Sequence, residues 1–160
     1  MTHAHATIGS DRYAVRIDAN GHALIADEPR SNGGANAGPA PYDLLLASLA
    51  ACTTITLRMY ADRKEWSVTS ISVDLSFVRD GKSERIERKL ALEGALSDEQ
   101  RARIAEIAEK TPVTLTLKKG LPIHTELMPA NGSIALNVEA RLDEALNETF
   151  PASDPTSITP

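Results

Sequence analysis

The sequence holds one cysteine, Cys52, in 160 residues, which excludes an internal disulfide. Aromatic residues are scarce at 4 %, so the core must be aliphatic. No excess of basic charge is present: 17 Lys and Arg stand against 22 Asp and Glu, a net charge of −5. That balance argues against nucleic acid, whose binding needs a basic face to displace counterions. It argues equally against docking on an anionic membrane surface. The unbroken apolar runs are far shorter than the ~20 residues that span a bilayer. The stretch from Met1 to Ser10 shows no basic region followed by an apolar run, so no signal peptide is visible, and a reducing cytoplasm is expected. There is no internal repeat.

What is present fits one globular domain, with 42 % apolar and 24 % charged residues. Tyr13 to Ile17, Asn20-Gly21 and His22 to Ala26 read as a β-hairpin, because Asn-Gly suits the positive φ angles of a two-residue turn. From Asp27 to Pro41 three prolines and three glycines make a loop of special backbone positions, long enough to suggest a function. A helix is expected from about Tyr42 to Arg63. Pro41 opens its first turn, Asp43 suits its positive end, and Arg58, Arg63 and Lys64 suit the other. Leu44 to Cys52 is interrupted only by Ser48, so the helix reads as apolar on every side and hence buried.

Ile71, Val73, Leu75 and Phe77 alternate with polar neighbours as a half-buried strand, and Asp80-Gly81 supplies a turn. Ile86, Leu90 and Leu92 then share a face with Arg88. A second helix is expected from about Asp98 to Lys110, opened by the capping-box pair Ser97 and Gln100 and ended by Pro112. Val113, Leu115 and Leu117 read as a further strand, and Ile123 to Leu127 as the last core strand. Beyond Met128 the composition turns to Pro, Asn, Ser and Thr. The division is therefore a domain over residues 1–127 and an extension over residues 128–160. The extension is expected to pack on the domain or a partner subunit, with a short helix from Arg141 to Phe150.

Three segments carry a family resemblance: Asp27-Glu28-Pro29, then Gly33-Gly34-Ala35-Asn36-Ala37-Gly38-Pro39-Ala40-Pro41, then Tyr42-Asp43 through Ala51-Cys52-Thr53. Together they resemble the OsmC/Ohr family, the osmotically inducible and organic-hydroperoxide-resistance proteins. Ile86-Glu87-Arg88, Leu92 to Leu96 and Ile107 to Lys110 continue the likeness, which spans roughly Tyr13 to Leu127. It implies an α+β fold in an intertwined homodimer, with antiparallel sheets wrapped around two central helices and the cysteine sites at the subunit interface. It also implies reduction of organic hydroperoxides by a cysteine pair without a cofactor. Where the family reads Lys-Cys-Pro-Val-His at the resolving position, this chain reads Lys110-Thr111-Pro112-Val113-Thr114. The two-cysteine cycle cannot run inside it.

The candidate site follows. Cys52 is the nucleophile, although a lone cysteine is also commonly a small buried hydrophobe. A thiol in an apolar helix needs a nearby cation to become a thiolate. The resemblance supplies an arginine held by an acid early in the central helix. Asp43 stands for the acid. Arg88 is a candidate for the cation, with Arg12, Arg16 and Arg30 upstream; otherwise Arg88 is an edge charge that deters aggregation. Thr111 and Thr114 occupy the former resolving site and could bond a ligand, and Tyr42 could line it. His3 and His5 form only a weak metal pair, so no metal is expected. Two functions compete: a one-cysteine hydroperoxide reductase regenerated by an external thiol or dithiol, and a non-catalytic relative binding a small hydrophobic ligand.

Overall fold

A computed structural model describes residues 2–81 and 83–128. The expected helix from Arg141 to Phe150, and the packing of the extension, lie outside the described residues. The described residues divide into two compact units, one of residues 2–41 together with residues 125–128, the other Tyr42–His124.

The first unit carries a three-stranded antiparallel sheet in the order β1 (Ala4–Ile8), β2 (Val15–Ala19), β3 (His22–Ala26). β2 and β3 form the expected hairpin, with Asn20 at φ 57° and Gly21 at φ 91°. Gly21 N–H also donates to Asp18 Oδ1 at 2.9 Å, which closes the turn. β1 was not anticipated: Ala4 to Ile8 does alternate apolar and polar residues, but two of its three apolar positions are alanines of low strand propensity, and pairing with β2 supplies what local propensity lacks. The glycine- and proline-rich loop is organised around Asp27, whose side chain is buried. Its Oδ1 accepts from Glu28 N–H at 2.8 Å, and its Oδ2 from Ala35 and Ala37 N–H at 2.9 and 3.0 Å. These donors, Ala37 foremost, hold the carboxyl below the usual carboxylate range against the opposing effect of burial. The loop winds so tightly that a Cβ on Gly34 would lie 1.9 Å from the Glu28 carbonyl oxygen.

The second unit is built from α1 (Pro41–Arg63), β4 (Val68–Asp80), β5 (Ser83–Gly94), α2 (Asp98–Ala108) and α3 (Pro112–Lys119). β4 and β5 form a long antiparallel ribbon in which Val73 faces Leu90, Leu75 faces Arg88 and Phe77 faces Ile86. Leu57 and Ala61 of α1, Val68 of β4, and Ile104 and Ala108 of α2 make the core, with Trp66, Ile71, Leu90 and Leu92 packed around them. The capping box of α2 is formed in both directions, between Ser97 and Gln100.

Three expectations are corrected. α1 is buried along one stripe only, Leu49, Thr53, Leu57 and Ala61, spaced four residues apart; within this chain one α-helix face is all that the ribbon and α2 can cover. α1 is also long and apolar enough, by length and composition, to cross a membrane, but that stripe packs it into the core of its unit. Val113 to Leu117 is helical, not a strand. Pro112 both ends α2 and serves as the first residue of α3, where its missing N–H costs nothing. Ile123 to Leu127 forms no strand: these residues carry no regular structure, and Ile123 and Leu127 are 89 % and 96 % exposed.

Candidate thiol site

Cys52 is half-buried on α1. Its Sγ accepts a hydrogen bond from the backbone N–H of Val113 at 3.4 Å. Val113 is the second residue of α3, so this N–H has no acceptor within its own helix. The sulfur thus stands at the positive end of a helix, facing an otherwise unspent donor.

Period-two alternation puts Arg88 inward, between Ile86 and Leu90 and opposite Glu87 and Lys89. Its side chain is only 12 % exposed. Nη1 donates to Thr114 Oγ1 at 3.0 Å and to Thr53 Oγ1 at 3.3 Å, while Nη2 donates to Glu109 Oε1 at 2.7 Å. Thr53 gives its own proton to the Leu49 carbonyl at 2.8 Å, leaving lone pairs for the arginine. Thr111 and Thr114, both buried, share a hydrogen bond of 2.7 Å and lie 3.4 Å from the Ala108 carbonyl oxygen. Thr111 and Thr114 thus form a hydroxyl pair at the end of α2. Arg88 is directed to these hydroxyls and to Glu109; its three hydrogen bonds go to Thr53, Thr114 and Glu109.

Glu109 is bridged a second time, by Lys118 of α3. Lys118 first, and Arg88 after it, hold the Glu109 carboxyl below its usual range. Neither Glu109 nor Lys118 was singled out from sequence. They lie nine residues apart across Pro112, so no helical period links them.

Asp43 is exposed in the first turn of α1. Nine residues of helix place it about 13 Å along the axis and about half a turn round from Cys52, so within one chain the two do not share a face. Tyr42 packs its ring 4.6 Å from that of Phe77, and the Arg79 guanidinium lies over both rings. Arg12 is spent on the Gly33 carbonyl oxygen at 3.0 Å.

Beside this network opens a groove of about 620 Å³. Tyr42, Leu45, Leu49, Phe77, Ile86 and Leu117 give it apolar walls, and Arg88, Glu109, Thr114 and Lys118 give it a polar end. Cys52 is not among its lining residues. No three metal-ligating side chains converge among the described residues.

A family model described as OsmC-like protein matches residues 33–126. No curated protein matches the chain in sequence. Among solved structures, an OsmC-like protein from Mycoplasma pneumoniae superposes with a TM-score of 0.65 at 18 % identity, over 74 % of this chain and 87 % of that one. An organic hydroperoxide resistance protein OsmC from Legionella pneumophila gives 0.56 at 22 % identity, over 74 % and 89 %. The organic hydroperoxide resistance protein OhrB of Bacillus subtilis gives 0.51 at 20 % identity, over 72 % and 90 %. At such identities the likeness is one of fold.

Proposed function

This chain belongs to the OsmC-like protein family, and from that premise we propose that it is a thiol-dependent reductase of organic hydroperoxides working with one cysteine, Cys52. The observation that carries the reading is the Val113 N–H directed at Sγ from the first turn of α3, since a donor of that kind favours the thiolate that must attack. The thiolate forms an S–O bond to the terminal peroxide oxygen as the O–O bond breaks; the alkoxide leaves and takes a proton to become the alcohol. Cys52 is then a sulfenic acid. An external dithiol returns it to the thiol, releasing water and becoming a disulfide. That reductant belongs to a reducing compartment, so the reading includes a cytoplasmic location.

The reading also includes a homodimer. Ala47, Ala51, Ile55 and Met59 repeat every four residues opposite the buried stripe of α1, and Ile55 and Met59 are 58 % and 60 % exposed. A second copy of the chain is the occupant that would cover such a stripe.

The groove favours a second reading, a binder of a small hydrophobic ligand, because its apolar walls do not include Cys52. One experiment separates the two. Purified protein is treated with cumene hydroperoxide at modest excess and weighed intact, beside Cys52→Ser. Gain of one oxygen at Cys52, reversed by dithiothreitol, supports the reductase. An unchanged mass sinks it and leaves the binder.

A further inference from the structure

α3 has little apolar anchorage. At eight residues it is shorter than the ~12–15 at which an isolated helix becomes even marginally stable in water. Within this chain Thr114 is its only buried residue, and Leu115 to Lys119 are exposed. Its placement against Cys52 rests on polar contacts: the Thr111 and Thr114 hydroxyls 3.4 Å from the Ala108 carbonyl oxygen at the end of α2, Arg88 on Thr114, and Lys118 on Glu109. The last two converge, because Arg88 also holds Glu109. One carboxylate, at the C-cap of α2, therefore joins β5 to the far end of α3.

We propose that Glu109 is the positioning residue of the Cys52 site, setting the first turn of α3 on the sulfur through Lys118 and through Arg88. This deepens the reading above and rests on Cys52 being the reactive group. Ion pairs as exposed as Glu109 with Lys118 are individually weak, so the consequence is local: the Val113 N–H leaves the sulfur while the fold persists.

The test uses the full chain and two readouts that need no peroxide. Exchange of the Val113 amide hydrogen reports whether its N–H remains on Sγ, and alkylation of Cys52 by iodoacetamide is followed against pH. Glu109→Gln is expected to speed Val113 exchange several-fold, with a melting temperature close to wild type, and to displace the alkylation profile to higher pH. That direction is diagnostic, because removing a nearby negative charge would by Coulomb's law alone displace it to lower pH. Glu109→Asp should recover part of both effects. Glu106→Gln, the same charge change one turn earlier on a carboxylate paired, among the described residues, with Arg103, should produce neither. Unchanged Val113 exchange, a downward displacement, or equal effects from Glu106→Gln would overturn the proposal. Should both readouts respond while hydroperoxide leaves wild-type Cys52 unoxidised, the positioning role stands and the reductase reading alone fails.

Discussion

Val113 and Cys52, sixty-one positions apart, meet through the backbone N–H of one and the sulfur of the other at 3.4 Å. The contact sets the thiol against the start of α3, where donors lack helical acceptors. Replacing Cys52 by alanine should therefore unprotect the Val113 amide, and serine should keep part of the protection because its hydroxyl can still accept. Residue-resolved hydrogen exchange decides this; equal protection in wild type and Cys52→Ala would mean that the sulfur is not the acceptor.

Arg88 serves three partners from one planar group, two threonine hydroxyls on one side and a carboxylate on the other. Arg88→Met removes all three bonds while preserving much of the apolar stem. Thr53 keeps its bond to the Leu49 carbonyl, and Glu109 keeps Lys118. A loss of about 1–2 kcal/mol in urea unfolding is expected, in the lower range for hydrogen bonds to a charged group. Arg88→Lys should recover little, since an ammonium cannot fork to both sides.

Much of this arrangement was legible in sequence, and the failures share a cause. Asn20-Gly21, the capping box at Ser97 and the alternation from Ile71 to Leu92 are local signals, and each gives the element expected of it. Arg88 on an inward position followed from period two alone. Val113 to Leu117 misled because five residues alternating apolar and polar fit a strand or a short helix equally well, and Pro112 at the first helical position decided between them. The partners Glu109 and Lys118 left no trace, because a charge pair between the end of one helix and the last turn of the next has no period. The one-sided burial of α1 was equally hidden: the count of apolar residues says how much can be buried and not what covers it.

Asp27 links the loop to pH. Its folded-state carboxyl lies below the ordinary value because backbone N–H groups, Ala37 first, bond the charged form. A depressed carboxyl contributes stability that is present above its unfolded value, near ~3.9, and is lost as pH falls through the lower folded value. Wild-type urea midpoints should therefore fall below about pH 4. Asp27→Asn should be less stable at neutral pH, since its amide nitrogen must confront one of the N–H donors, and should show a shallower acid slope. Parallel curves for the two proteins would remove Asp27 from the acid transition.

Thr111 is the N-cap of α3, and an N-cap side chain is placed to reach the N–H of the second or third helical residue. In this chain the N–H of the second residue is already occupied by the Cys52 sulfur. A cysteine at 111, turned toward that N–H, would bring its sulfur to the same point, whereas the threonine turns its hydroxyl to Thr114 and the Ala108 carbonyl. Thr111→Cys is therefore expected to give an intramolecular disulfide when treated with organic hydroperoxide. Cys52 would first become a sulfenic acid, and the new thiol would displace water from it. Intact mass should show two hydrogens lost and no oxygen gained, and thiol titration should find neither cysteine free. A stable single-oxygen adduct in Thr111→Cys would show that the two sulfurs do not meet, and that Thr111 no longer marks a resolving position in this chain.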